Sequence, residues 1–248
     1  MSFAAKKDEL KDKVILITGA GGGLGRAAAK ACAAHGATTI LLGKTIPKLE
    51  QTYDDIIAAD GPEPAIYPID FNGATEEDYQ QLAEIVEKEF GRLDGLLHNA
   101  AELGTPGPVA NIESSSWAKT FNVNLHAPFI LTRVLLPLMR KTGDASIIFT
   151  TDSVARQGKA YWGSYGISKV AAEGLAHTLA EEYETGGHIR VNILSPGPIQ
   201  SPLRKKAYAG ENPENLPTAQ ILEKFWLYLF SSASKGVTNK LFQGSDSL

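Results

Sequence analysis

The sequence lacks several common structural aids. It has one cysteine, Cys32, in 248 residues, so no internal disulfide can form. A lone thiol fits a reducing compartment. No apolar stretch approaches the ~18 residues needed to span a bilayer, and the opening Met1 to Lys13 is polar and charged, without the apolar core of a secretion signal. Basic residues do not cluster beyond Arg204-Lys205-Lys206, and the formal net charge is −4, which argues against a nucleic-acid surface. The five histidines are scattered, with no His/Cys/Asp/Glu spacing suited to a metal. Repeats and low-complexity tracts are absent as well. The expectation is a cytoplasmic protein without metal, membrane or nucleic-acid partner.

What remains is an ordinary globular mixture, 43% hydrophobic and 21% charged, long enough for a sizeable core. Short apolar runs alternate with amphipathic stretches. Val14–Thr18, Thr38–Leu42, Ala65–Ile69, Leu93–Leu97, Ala145–Thr150 and Ile189–Leu194 read as buried strands, with Leu241–Gln243 a last short one. Leu24–His35, Ile46–Ala59, Glu76–Phe90, Ser116–Asn122, Ala127–Lys141, Ala160–Thr185 and Thr218–Ser231 read as helices. The alternation predicts an α/β fold: one doubly wound, Rossmann-like parallel sheet with helices on both faces, over residues 1–248. Ligands of such a sheet bind beyond the carboxyl ends of its strands. Residues 194–217 lack periodicity and read as a loop or lid beside a substrate.

The first strand runs into Thr18-Gly19-Ala20-Gly21-Gly22-Gly23-Leu24-Gly25. Glycines here let the backbone approach a pyrophosphate, which the next helix meets with free N–H groups and its positive dipole end. The plainer reading is a turn that only packs helix on strand.

With these residues the chain resembles the short-chain dehydrogenase/reductase family. Thr18-Gly19-x-x-x-Gly23-x-Gly25 looks like that family's nucleotide-binding signature, and Tyr165-Gly166-Ile167-Ser168-Lys169 like its Tyr-x-x-x-Lys. Asp70, Asn99-Ala100-Ala101, Asn124, Ser153 and Pro196-Gly197 follow the family's other landmarks in order. The wording at Leu42-Gly43-Lys44, Leu97-His98-Asn99 and Arg156-Gln157-Gly158 is similar to the bacterial YciK-type branch.

The resemblance implies reduction of a carbonyl to a secondary alcohol, or the reverse, by a nicotinamide. A free tyrosine, with a pKa near ~10, is a poor base at neutral pH, and a nearby cation favours its phenolate. Tyr165 and Lys169 are four positions apart and share a helix face. By resemblance Tyr165 is the acid/base and Lys169 also holds the nicotinamide ribose. Asn124 would kink a helix and link Lys169 to solvent, though Asn122 competes and Asn124 also suits a helix cap. Ser153 would donate to the substrate oxygen. The family's usual spacing of thirteen instead selects Asp152, which when ionised cannot donate, so Ser153 is preferred and Thr151 is second.

The second strand ends Leu42-Gly43-Lys44-Thr45, with no acid to bind both ribose hydroxyls. Lys44 and Thr45 can meet a 2′-phosphate, so NADP(H) is expected over NAD(H). By resemblance Gly19, Gly21, Gly22, Gly23, Leu24 and Gly25 cradle the phosphates, Asp70 and Phe71 face the adenine, and Asn99 and Ala100 flank the cofactor. Pro196, Gly197, Ile199 and Ser201 lie towards the nicotinamide. His98 reads as a packed strand-end histidine, and Tyr161, Trp162, Trp226 and Tyr228 as core. A homodimer or homotetramer is the family's expectation. A catalytically silent NADP-binding sensor and a structural subunit are the alternatives from other classes.

Overall fold

In the computed structural model, which describes residues 3–248, the apolar runs become strands and the patterned stretches helices. Val14–Thr18 (β1) is buried along its whole length. Apolar on both faces, it is stable only between two helical layers. Gly23–Ala34 (α1), Thr38–Gly43 (β2), Ile46–Ala58 (α2), Ala65–Pro68 (β3), Glu76–Phe90 (α3) and Gly95–His98 (β4) continue the alternation. Ser114–Phe121 (α4) passes through a π-turn at Asn122–His126 into Ala127–Arg140 (α5). Then come Ala145–Thr150 (β5), the short Val154–Gln157 (α6), Gly163–Glu184 (α7), Ile189–Ser195 (β6), Pro202–Ala207 (α8), Glu223–Phe230 (α9) and Leu241–Gln243 (β7).

All seven strands form one parallel sheet in the order β3-β2-β1-β4-β5-β6-β7. Strand order reverses between β1 and β4, which opens a crevice at their carboxyl ends. Alternate side chains serve the two faces. Leu16, Leu96, Ile147 and Val191 pack with Leu82 of α3, Leu131 of α5 and Ala172 of α7. Ile15, Ile17, Leu41 and Leu97 pack with Ala28 of α1, Leu49 of α2 and Phe225 of α9.

The structure departs from the sequence expectation in several places, among them α6, where no helix is expected. Helix α7 starts at Gly163 rather than Ala160, because Tyr161 takes a left-handed φ of 72°. The segment read as one amphipathic helix begins with a 3-10 turn, Ala219–Leu222, before α9. The segment read as a structureless loop contains α8. Ser201 Oγ caps that helix by accepting from the Arg204 N–H at 3.0 Å, and the Arg204 guanidinium folds the chain back onto Glu211 at 2.6 and 2.8 Å. At the far end, buried Arg190 of β6 pairs with Asp144 at 3.1 Å and donates to the Leu229 carbonyl at 2.8 Å, tying the sheet to α9. The Phe3 N–H donates to the Leu248 carbonyl at 3.1 Å.

Candidate active site

The crevice between β1 and β4 is fixed by one hydroxyl. Thr18 Oγ1 donates to the Leu97 carbonyl at 3.2 Å and accepts from the Asn99 and Ala100 N–H groups, each at 2.9 Å. Asn99 Nδ2 donates to the Thr18 carbonyl at 3.1 Å, so Asn99 holds the two strand ends together. The chain then turns at Gly19, with φ 68°. Gly25 lets α1 close onto that turn: a Cβ there would lie 2.2 Å from the Gly19 carbonyl oxygen. Gly21 packs against Lys48. In front of Gly22 there is open space, where a Cβ would meet nothing within 4 Å. Gly22 begins α1 with no side-chain cap and no acid in the first turn. The uncapped N–H groups and the positive dipole end therefore face the crevice, an arrangement that fits a diphosphate.

A cleft of about 630 Å³ gathers Gly19, Gly22, Gly23, Leu24, Lys44, Asn99 and Ala100 with Tyr165, Lys169, Pro196, Gly197, Ile199 and Ser201. A hollow of about 150 Å³ beside it is lined by Gly43, Lys44, Asp70 and Phe71. Lys44 stands at both. Gly21, Gly25, Thr45, Asn124 and Ser153 line neither. The two glycines are packed against the chain's own backbone and Lys48, and Thr45 begins α2 at its N-cap position.

Tyr165 is buried, and its hydroxyl donates to Asp152 Oδ2 at 3.4 Å. Lys169 Nζ donates to the Thr150 carbonyl at 2.9 Å and lies 5.8 Å from the Tyr165 ring centroid. Burial lowers the Lys169 pKa to about 8, against the pull of Asp152 and Glu173. The sequence reading expects the Lys169 charge to lower the tyrosine's pKa. Instead burial, followed by the Asp152 charge, pushes the phenol well above its usual value, which keeps it protonated.

Ser153 makes no hydrogen bond to the tyrosine; its hydroxyl donates to Asp152 Oδ1 at 3.5 Å. Asp152 Oδ1 accepts from the Val154 N–H at 3.1 Å, closing a local turn. That turn aims Asp152 at Tyr165 and leaves Ser153 exposed at the start of α6. The carboxylate, not the preferred serine, is the hydrogen-bond partner of Tyr165. Thr151 lines the cleft, but its hydroxyl donates to Glu173, which also pairs with Arg156 at 2.6 Å.

Asn124 is buried in the π-turn. Its Oδ1 accepts from the Glu102 N–H at 2.8 Å, and its Nδ2 donates to the Glu102 carbonyl and to Ser168 Oγ, both at 2.9 Å. It thus pins the β4–α4 connection to α7 one residue before Lys169 and is not part of the cleft wall. The extra backbone of the π-turn accommodates it.

Several cleft residues escaped the sequence reading. Trp162, read as core, forms a wall with Tyr165, Leu103, Leu203 and Tyr208. Its place three residues before Tyr165 was the available signal. Glu102, Arg204 and Lys206 also reach the cleft, with no sequence pattern marking them. Among the described residues no group of His, Cys, Asp and Glu could hold a metal, and no helix is long and apolar enough to cross a membrane.

Residues 13–212 match the family model described as short chain dehydrogenase. The chain is 40% identical over 242 residues to YciK of Escherichia coli K12, named an uncharacterized oxidoreductase, covering 98% of this chain and 95% of that one. A short chain dehydrogenase from Salmonella enterica serovar Typhi superposes with a TM-score of 0.95 at 37% identity, over 98% of this chain and 100% of that one. A protein of Escherichia coli CFT073 crystallised with NADPH superposes with a TM-score of 0.94 at 40% identity, over 97% of this chain and 100% of the other.

Proposed function

Since the chain belongs to the short-chain dehydrogenase family, we propose that it transfers hydride between NADP(H) and a small-molecule substrate with a polar double bond, of which carbonyl and secondary alcohol are the family's usual pair. The observation that carries this reading is the single cleft in which the uncapped start of α1, Lys44, Tyr165 and Lys169 meet. The glycine turn from Gly19 to Leu24 would hold the diphosphate, and Asp70 and Phe71 would flank the adenine. Lys44 would meet the 2′-phosphate, and Ile199 and Ser201 would lie towards the nicotinamide. A bound reduced nicotinamide supplies hydride.

The chain's own residues manage the proton. Tyr165, held protonated, is the acid aimed into the cleft. Lys169, with a pKa of about 8, is largely charged at neutral pH and supports the phenolate left after donation. Leu203, Ala207 and Tyr208 bring the 196–217 segment over the cleft as its substrate-side wall. Exposed Phe129 on α5 and Ile167 and Val170 on α7 suit pairing with a second copy of the chain.

Titration with NADPH and NADH, followed by tryptophan fluorescence, tests the cofactor site. Wild type should prefer NADPH, and Lys44→Glu should lose most of that preference. Tyr165→Phe should bind NADPH normally and lose roughly 10²-fold or more in turnover. Absence of saturable binding of either nucleotide would overturn the oxidoreductase reading.

A further inference from the structure

The turn after β5 places a carboxylate beside the proton donor, where reduction of a ketone has no use for one. As a ketone accepts hydride its oxygen gathers negative charge, which donors stabilise. Ionised Asp152 cannot donate, and its charge opposes an alkoxide. Among the described residues no cation makes an ion pair with Asp152: Arg156 pairs with Glu173 at 2.6 Å, Arg204 pairs with Glu211 at 2.6 Å, Lys169 donates to the Thr150 carbonyl at 2.9 Å, and the Lys169 and Arg204 charges reach the carboxylate only through space. Around the carboxylate the cleft is aromatic. The Trp162 ring lies 5.8 Å from Tyr165 and 5.4 Å from Tyr208, centroid to centroid, and all three line the cleft with Asp152. These rings already attract cations: the Arg204 guanidinium lies 3.6 Å from the Tyr208 centroid, and Lys159 Nζ, which donates to the Tyr208 hydroxyl at 3.4 Å, sits 5.8 Å from the Trp162 centroid. A carboxylate among ring faces recognises a cation with apolar flanks.

We infer that this cleft reduces a carbon–nitrogen double bond in its protonated, iminium form in preference to a ketone, with Asp152 as the specificity-determining residue. The inference rests on the proposed hydride-transfer function. In the step, the iminium carbon gains a C–H bond as the C–H bond of the dihydronicotinamide breaks. The π pair of the C=N bond moves onto nitrogen as a lone pair. The iminium is reduced to a neutral amine and the dihydronicotinamide is oxidised to the nicotinamide cation. The amine then takes a proton from Tyr165 or water. Asp152 contributes by favouring the protonated imine, which is the electrophilic form.

The first arm of the test is binding and needs no turnover. The protein is titrated at neutral pH with tetrahydroisoquinoline, which is then protonated, and with isochroman, its neutral oxygen isostere, with tryptophan fluorescence as readout. The amine should bind at least about tenfold more tightly. In Asp152→Asn the gap should shrink to about threefold or less, with NADPH affinity at the wild-type level as the check on folding. The second arm follows NADPH oxidation with dihydroisoquinoline and with tetralone. Wild type should favour the imine in kcat/KM by about tenfold or more, and Asp152→Ser should reverse the order. Equal binding of the two bicycles, binding of neither, a gap that survives Asp152→Asn, or a wild-type preference for tetralone would each overturn the inference. So would a protein that binds NADPH and turns over neither compound. Failure to bind NADPH would instead defeat the function proposed above, so the two failures are separable.

Discussion

At the scale of single residues, His98 links packing to pH. Its Nε2 shares a hydrogen bond with Thr132 Oγ1 at 2.8 Å, its ring lies 4.6 Å from that of Phe149, and burial lowers its pKa from 6.5 to about 3. Between those values the unfolded chain binds a proton that the folded chain refuses. Its contribution to stability is therefore present above pH 6.5 and is lost as pH falls towards 3, by up to about 1.4 kcal/mol per pH unit. Urea unfolding should show a steeper loss of stability between pH 6.5 and about 4.5 in wild type than in His98→Gln; equal slopes would remove His98 as the cause. The sequence revealed this histidine's packing because it closes an apolar strand. It revealed the Tyr165–Lys169 pair because helical spacing alone brings the two together. It did not decide between Asp152 and Ser153. The two are neighbours on one turn, joined by a hydrogen bond at 3.5 Å, and the bond from the Val154 N–H that accompanies the tyrosine-facing carboxylate is a feature of the folded turn that no sequence pattern announces.

At the scale of elements, the glycine turn separates two jobs that one motif conceals. Gly25 is needed for α1 to close on Gly19, and Gly22 leaves room in front of the helix. Gly25→Ala should destabilise the fold by about 1–3 kcal/mol, since the obstructing atom is backbone, and should weaken NADPH binding too. Gly22→Ala should leave thermal stability within about 0.5 kcal/mol and weaken NADPH binding alone. Thermal unfolding and the fluorescence titration read the two effects separately. The buried strands were legible because continuous apolar runs bounded by glycine have few other uses. Helix α8 was not, because the Arg204–Glu211 pair and the Ser201 cap that hold it leave no apolar period. The trace of the π-turn in sequence was its pair of asparagines. Which one is buried depends on Glu102 and Ser168, distant in the chain.

At the scale of the whole molecule, the sheet explains why binding and chemistry meet where they do. Placing β1 and β4 side by side brings together chain segments some eighty residues apart, as in the contact between Thr18 and Asn99. The alternation of strands and helices made this architecture legible; the tilt of the 196–217 segment over the cleft was not, since it depends on contacts among Trp162, Leu203 and Tyr208. One further consequence lies in the bond between the Phe3 N–H and the Leu248 carbonyl. Two points that touch can be joined by a short Gly/Ser tether, and the polypeptide reopened at the exposed turn between Gly186 and Gly187. Such a circular permutant would begin with β6 yet retain every strand neighbour. It should titrate with NADPH as wild type does, and a permutant that folds but cannot bind would mean that the order of the elements along the chain, and not only their places in the sheet, matters to the cleft.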